Sequence, residues 1–149
     1  MKDNLITLDT NILVYAIDID AGPKQQRAIA ILEQVQERPC VITLQALVEF
    51  VAVVLRKHGM PIEDAIAQVQ DWRAMFPVIA ASANTLTKAA AAVKQHQLSF
   101  WDALLWATAC EAKVTLLLTE DCQHRRVLEG VHFFNPFLEE PLAWEEFGF

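Results

Sequence analysis

Four carboxylates lie in sequence segments that are otherwise almost entirely apolar. They are Asp9, Glu49, Asp102 and Asp121. Glu49 is the only charged residue in VITLQALVEFVAVVL, Asp102 is the only one in LSFWDALLWATAC, and the other two follow the runs LITL and LLLTE. An isolated buried carboxylate costs several kcal/mol, so such a group is usually paired, protonated or bound to a metal ion.

A divalent cation would neutralise these acids better than the basic residues of the chain. The candidate cationic side chains cluster elsewhere, as Arg56–Lys57 and Arg125–Arg126. Mg²⁺ and Mn²⁺ prefer oxygen ligands and are commonly held by a few carboxylates together with substrate phosphate. The pattern therefore predicts an acidic pocket for one or two Mg²⁺ or Mn²⁺ ions.

Each acid also has a purely structural explanation. Asp9 could cap the following helix, as could Thr10, and Glu49 could reach solvent at a helix edge. Asp102 completes a Ser-x-x-Asp arrangement similar to a capping box, and Asp121 could be a turn residue. The four explanations together require four separate coincidences, which favours one shared role.

The elements that must position these residues alternate between strands and helices. Five apolar runs are predicted to be strands: LITL, CVIT, PVIA, VTLLLT and VHFFNPF. The segments between them are mostly amphipathic with helical spacing, and CQHRRVLEG is also expected to be a short helix. This order implies crossover connections and an α/β fold whose mainly parallel sheet is covered on both faces.

Two of the acids directly follow predicted strands, which predicts where the pocket lies. Open parallel sheets bind ligands beyond the carboxyl ends of their strands. Asp9 and Asp121 would reach that edge from strands, and Glu49 and Asp102 would reach it from helices.

Length and composition predict one domain spanning residues 1–149, with an acidic, aromatic tail from about 136 to 149. The chain has 149 residues, 54% of them hydrophobic, which is enough for a sizeable core. No apolar run approaches the ~18 residues that span a membrane. The start of the chain, with Lys2, Asp3 and Asn4, lacks the apolar core of a signal peptide, so a cytoplasmic location is expected.

Charge and cysteine content argue against broad nucleic-acid binding and against a fold held by disulfides or zinc. The formal net charge of −7 argues against broad electrostatic binding of nucleic acid, although it does not exclude a nucleic-acid enzyme with a metal pocket. The three cysteines are widely spaced and form no CxxC pair, so neither a disulfide framework nor a zinc site is indicated.

The segments LDTNILVYA, LQALVEFVAVVLRK, SFWDALLWATA and LLTEDCQH resemble, in this order, the four acidic motifs of PIN-domain nucleases. The branch of the family that looks most similar is the VapC-type toxins of bacterial toxin–antitoxin pairs. The resemblance runs from about residue 5 to about residue 137. It implies a three-layer α/β/α sandwich and a metal-dependent endoribonuclease, the toxin of a type II pair.

The resemblance also implies roles for individual residues. Asp9, Glu49, Asp102 and Asp121 would be the catalytic residues and the metal ligands, with Asp9 central. The supporting positions would be Thr10, Asn11 and Thr119. No acid of the set is missing, which argues against an inactive member of the family.

Contacts to RNA and to other proteins are expected outside the acidic set. His124, Arg125 and Arg126 follow Asp121 closely and could contact phosphates, or they could simply form a solvated basic surface. The resemblance implies a homodimer and an antitoxin that covers the acidic groove. The tail either packs on its own domain or supplies such a protein contact.

Three other functions compete with a metal-dependent ribonuclease. A phosphatase with an aspartyl nucleophile is disfavoured because Asn11 stands where a second Asp would be needed. A non-catalytic binding or scaffold protein remains open, and so does a nuclease that acts on DNA.

Overall fold

The structure is a computed structural model that describes residues 3–138 and 142–149. This part of the chain contains six α-helices and six short strands. The strands are β1 (Ile6–Leu8), β2 (Ile42–Thr43), β3 (Val78–Ile79), β4 (Leu116–Leu118), β5 (Val127–Leu128) and β6 (Val131–Phe134). The helices are α1 (Thr10–Ile17), α2 (Pro23–Val35), α3 (Leu44–Lys57), α4 (Ile62–Met75), α5 (Ala83–His96) and α6 (Phe100–Glu111). Short 3₁₀ helices cover Ile19–Ala21 and Trp144–Phe147. Lys2 lies outside the described residues, as do residues 139–141 of the predicted tail.

The sheet is mainly parallel, as the alternating pattern predicts. Four strands lie in the order β1-β4-β6-β5, and only β5 is antiparallel to its neighbour. The parallel pair β2-β3 adjoins β1, because the amide of Ile6 donates to the carbonyl of Pro39 and the amide of Val41 donates to the carbonyl of Ile6, both at 2.9 Å. The carboxyl ends of these parallel strands therefore lie along one edge.

Both faces of β4 are buried, which explains its unbroken apolar sequence. Leu116 and Leu118 pack in one core with α1–α4, whereas Leu117 points into a second core with α5 and α6. This alternation follows from the two-residue period of a strand. The expected α/β/α layering is confirmed.

Local capping fixes where the helices at the carboxyl edge begin. The hydroxyl of Thr43 accepts the amide of Ala46 at 3.1 Å to start α3. The hydroxyl of Ser99 accepts the amide of Asp102 at 3.2 Å to start α6. Both caps satisfy first-turn amides that have no partner within the helix. Among the described residues, no helix is both long and apolar enough to cross a membrane.

The helix predicted for CQHRRVLEG is wrong. Its first part forms turns, and its second part is β5, which pairs with β6. Arg125 and Glu129 have φ values of 65° and 47°, outside the range of a right-handed helix. The amide of Arg125 instead donates to the carbonyl of Phe133 at 2.8 Å. Backbone bonding to the sheet edge therefore replaces the local helix.

The described part of the tail packs on its own domain, the first of the two interpretations of this segment. Leu142 and Trp144 are buried in the core that also contains α1–α4. The indole nitrogen of Trp144 donates to Gln34 at 2.7 Å, and the guanidinium of Arg38 lies 4.5 Å from the centre of its ring. Leu142 and Trp144 are therefore part of the hydrophobic core of their own domain.

Replacing Trp144 with alanine is expected to destabilise the protein by about 3 kcal/mol, because it leaves a cavity and an unpaired Gln34. Urea unfolding of Trp144→Ala against the parent measures this change. Leu138→Ala is the matched control, since that side chain is 66% exposed, and it should change stability by less than about 0.5 kcal/mol. Equal unfolding midpoints for Trp144→Ala and the parent would contradict the packing of the tail.

Candidate metal centre

Two adjacent strands deliver the first two carboxylates of the site. Leu8 of β1 lies beside Leu118 of β4, and Asp9 and Asp121 follow shortly after these residues. The amide of Asp9 donates to the carbonyl of Leu118 at 2.9 Å, so the ladder extends to the acid itself. The parallel register therefore places both acids at the carboxyl edge, where the sequence predicts them.

A third carboxylate comes from the start of α6. One carboxylate oxygen each from Asp9, Asp102 and Asp121 lies within 4.8 Å of the other two. Two oxygens that share one Mg²⁺ at ~2.1 Å are at most roughly 4.2 Å apart, so small rotations would complete a metal site. Within residues 3–138 and 142–149, these three form the one group of acidic, histidine or cysteine residues close enough to hold a metal.

Glu49 lies beside this group rather than within it. It lines the same cavity of about 670 Å³ as the three aspartates. The side-chain amide of Gln45, one turn earlier on α3, donates to its carboxylate at 3.3 Å. Burial, opposed by this bond, and repulsion from Asp102 and Asp121 raise the pKa of Glu49. Its role as a fourth ligand stays a prediction.

The electrostatics of the centre favour a cation. Burial, followed by repulsion from Asp121, raises the pKa of Asp9 to about 7, although hydrogen bonds from Thr119 and Thr10 lower it. Burial also raises the pKa of Asp102; the bond with Ser99 partly offsets this and repulsion from Asp121 adds to it. None of the ion pairs among the described residues includes any of the four predicted site acids. A divalent ion would therefore relieve a repulsion that the protein leaves uncompensated.

Neutral side chains hold the carboxylates in place without neutralising them. The hydroxyl of Thr119 donates to Asp9 Oδ2 at 2.7 Å and accepts the amide of Asp121 at 3.1 Å. The side-chain amide of Asn11 donates to both carboxylate oxygens of Asp121, at 3.2 and 3.1 Å. The amide of Thr10 donates to Asp9 Oδ1 at 2.6 Å, and the Thr10 hydroxyl binds the carbonyl of Ala46 in α3. The three predicted supporting residues thus contact the centre or its scaffold.

Glu120, next to Asp121 in the sequence, has a different environment. Its carboxylate accepts hydrogen bonds from Tyr15 and from Lys24, the latter at 3.0 Å and as an ion pair. Asn11 also approaches Glu120 Oε1, at 3.4 Å. Sequence reasoning did not single out Tyr15 or Lys24, because Lys24 precedes Glu120 by 96 residues and no local pattern links them. Glu120, paired with Lys24, therefore adjoins the acidic centre through Asn11.

The three basic residues after Asp121 point to different places. His124 Nδ1 accepts the amide of Asn135 at 2.9 Å, and Arg125 pairs with Glu146 at 2.8 Å. Arg126 lines a second cavity, of about 440 Å³, together with Asp102 and Asp121. Its guanidinium donates to the carbonyl of His96 at 3.1 Å. The geometry therefore supports Arg126 as a phosphate contact and gives no such support for His124 or Arg125.

Comparisons with known proteins agree with this architecture. A family model described as PIN domain matches residues 6–129, most of the chain. A search of curated proteins found no match. The solved structures with a similar fold include VapC20 of Mycobacterium tuberculosis, described as a sarcin-ricin loop cleaving toxin, with 18% identity, a TM-score of 0.62, and coverage of 75% of this chain and 86% of that chain.

Two further solved structures have a similar fold. VapBC2 from Rickettsia felis, bound to a promoter DNA fragment, has 18% identity and a TM-score of 0.63, and the match covers 87% of this chain and 96% of that chain. A toxin–antitoxin complex from Klebsiella pneumoniae has 23% identity and a TM-score of 0.60, with coverage of 85% and 94%. At these identities the likeness establishes a shared fold.

The raised pKa of Asp9 predicts a pH-dependent stability. Because this pKa is near 7 in the folded protein and near 3.8 in an unfolded chain, the folded state retains a proton that the unfolded chain releases. Without metal, stability should therefore fall as pH rises from about 4 to about 7. At pH 8 in EDTA, Asp9→Asn is expected to be more stable than the parent, by up to about 4 kcal/mol.

Thermal unfolding of both proteins at pH 5 and pH 8 tests this expectation. The advantage of Asp9→Asn should shrink at pH 5, and added Mg²⁺ should stabilise the parent more than the variant. Asp71→Asn, at an exposed acid on α4, is the control and should behave like the parent. A parent without metal that is equally stable at both pH values would contradict the buried, repelled carboxylate.

Proposed function

The chain belongs to the PIN domain family, and from that membership and its acidic centre we propose that it is a Mg²⁺- or Mn²⁺-dependent endoribonuclease. The reaction is hydrolysis of an RNA phosphodiester bond. We further propose that the protein is the cytoplasmic toxin of a type II toxin–antitoxin pair. A single domain with the tail packed on it would carry this activity.

The observation that carries the proposal is the meeting of three carboxylates from separate elements. Asp9, Asp102 and Asp121 come from the end of β1, the start of α6 and the end of β4, yet their oxygens lie within 4.8 Å of one another. Repulsion and desolvation make this arrangement unfavourable unless a cation is bound. In a non-catalytic scaffold, no function would offset the unfavourable free energy of bringing these three carboxylates together.

The residues present fit a hard divalent cation. The donor set is all carboxylate oxygen, which suits Mg²⁺ and Mn²⁺. We propose that Asp9, Asp102 and Asp121 hold the ion and that Glu49 joins them. When bound, the ion neutralises charge on the scissile phosphate and lets water ionise more readily than in bulk solvent.

The remaining residues of the site position these groups for an in-line attack. Thr119 fixes Asp9 Oδ2 and the backbone of Asp121 with a single hydroxyl, so the two acids keep their spacing. Asn11 holds the Asp121 carboxylate from the other side. Because these partners are neutral, the full negative charge of the acids remains available to the ion.

RNA is the preferred substrate, with DNA as the alternative. The similar VapC20 structure is described as a sarcin-ricin loop cleaving toxin, which supports RNA. The net charge of −7 disfavours strong binding to the backbone alone, so we expect a particular unpaired or structured site to be recognised. Of the three basic residues that follow Asp121, Arg126 is the phosphate contact that the geometry supports best.

The proposed protein partners are an antitoxin and a second copy of the chain. The similar structure from Klebsiella pneumoniae is described as a toxin–antitoxin complex, which supports an antitoxin. An antitoxin segment with an Arg or Lys would complement the acidic cavity. A homodimer would have to use surfaces other than Leu142 and Trp144, because both side chains are buried in their own domain.

Purified protein is expected to cleave RNA with Mg²⁺ or Mn²⁺ and to be inactive in EDTA. Asp9→Asn, Asp102→Asn and Asp121→Asn should each lower the cleavage rate at least about 100-fold, because each removes a charged ligand. Glu49→Gln should lower it as well. Initial rates on labelled RNA and on DNA of the same sequence, side by side, measure these effects.

Asp71→Asn again serves as the matched control and should cleave at the parent rate. The assignment is wrong if the parent cleaves no RNA with either metal, or if Asp9→Asn cleaves as fast as the parent. Faster cleavage of the DNA than of the RNA would show that the protein is a deoxyribonuclease instead.

The product of a small gene next to the gene for this protein is expected to bind the protein and to inhibit its cleavage of RNA. Titrating the purified neighbour into the RNA assay should lower the rate to zero near a fixed stoichiometric ratio. Full activity at saturating amounts of that neighbour would contradict its assignment as the antitoxin.

A further inference from the structure

One tryptophan of this chain is exposed, and it stands at the acidic centre. Of the four tryptophans, Trp72, Trp106 and Trp144 are 3%, 1% and 6% exposed, whereas Trp101 is 59% exposed. A large exposed aromatic side chain at a concave site indicates a binding role more often than a role in the fold. Trp101 directly precedes Asp102 in α6.

Trp101 and the four predicted site acids line one cavity of about 670 Å³. The other walls of this cavity are largely apolar, with Leu44, Val48, Ala52 and Leu104, and they also include the basic Arg56. The cavity therefore has an acidic end for a metal and a phosphate, and an apolar side with an indole. A nucleotide has this same division, since its phosphate is charged and the two faces of its base are flat and weakly polar.

The position of Trp101 is tied to the acidic centre. The side-chain amide of Gln45 donates to the carbonyl of Trp101 at 3.0 Å and to the carboxylate of Glu49 at 3.3 Å. The ring of Phe100 packs against the indole edge-to-face, with 5.4 Å between the ring centres. A partly fixed indole loses little freedom on binding, which favours its use as a platform.

Space for a strand continues beyond the carboxylates. The second cavity, of about 440 Å³, shares Asp102 and Asp121 with the first and is lined by polar groups, including Ser99, Gln123 and Arg126. A strand with its phosphate at the carboxylates therefore has room for a base near Trp101 and for another nucleotide near Arg126.

We propose that Trp101 is the base-stacking residue of the substrate site and receives an unpaired base next to the scissile phosphate. This inference rests on the proposed nuclease function and adds to it a specificity-determining residue. Base–aromatic stacking is tolerant of sequence, so Trp101 selects for an unstacked base rather than for one base type. Paired RNA cannot present such a base without opening.

The fluorescence of the protein offers a direct test, because Trp101 is by far the most exposed of the four tryptophans. Titration of the parent with short oligoadenylate, in buffer where Ca²⁺ replaces Mg²⁺, is expected to quench part of the tryptophan emission. Trp101→Leu should lose this quenching and should bind the labelled oligonucleotide roughly ten- to one-hundred-fold more weakly in an anisotropy assay. In cleavage, its KM should rise by a similar factor with a smaller change in kcat.

Two further variants make the test specific. Trp101→Phe should restore most of the binding, because phenylalanine keeps a stacking face. Leu86→Ala is the control: Leu86 is a 50% exposed side chain on α5 that does not line the cavity, and this variant should retain both quenching and affinity. Circular dichroism checks that each variant is folded.

The outcomes separate this inference from the nuclease assignment. If the parent cleaves RNA and Trp101→Leu binds and cleaves it equally well, the stacking role is overturned while the nuclease stands. If Trp101→Leu changes the assembly state in sedimentation but not the RNA affinity, Trp101 belongs to a protein interface and the inference is also overturned. If the parent neither binds nor cleaves RNA, the proposed function itself fails.

Discussion

The carboxylate of Asp9 is buried at the end of the first strand, and the arrangement of the centre depends on how that charge is accommodated. Burial and the nearby Asp121 raise its pKa to about 7, so near neutral pH the group is poised between its protonated and charged forms. No basic side chain among the described residues pairs with it. The protein thus keeps an unfavourable charge that a divalent ion would stabilise.

The surroundings of this charge hold it in place but do not cancel it. Thr119 and Asn11 are neutral hydrogen-bond donors to Asp9 and Asp121, whereas Lys24 is paired with Glu120. Glu120 therefore has a basic partner, whereas its neighbour Asp121 is held by neutral donors. Such a division is typical of a site that trades stability for function.

The negative charge of the site also opposes the binding of a nucleic-acid substrate. A chain with a net charge of −7 and an acidic pocket repels a polyanion, so affinity must come from a bound cation, from local basic groups and from apolar contact. Arg126 and the exposed Trp101 lie in cavities that share Asp102 and Asp121. Recognition that combines these elements would favour a nucleotide whose base is unpaired.

Much of the fold and the centre follows from the sequence alone. Largely apolar strands indicate a sheet covered on both faces, and acids that directly follow strands must lie at its carboxyl edge because the strands are parallel. Only the tertiary structure decided which groups meet. It brings Asp9, Asp102 and Asp121 together, with Glu49 slightly apart, and it pairs Lys24 with Glu120. It also forms turns and a strand from CQHRRVLEG, where the sequence predicts a helix. Local patterns cannot fix contacts across about a hundred residues, because those depend on strand register and on side-chain packing between distant elements.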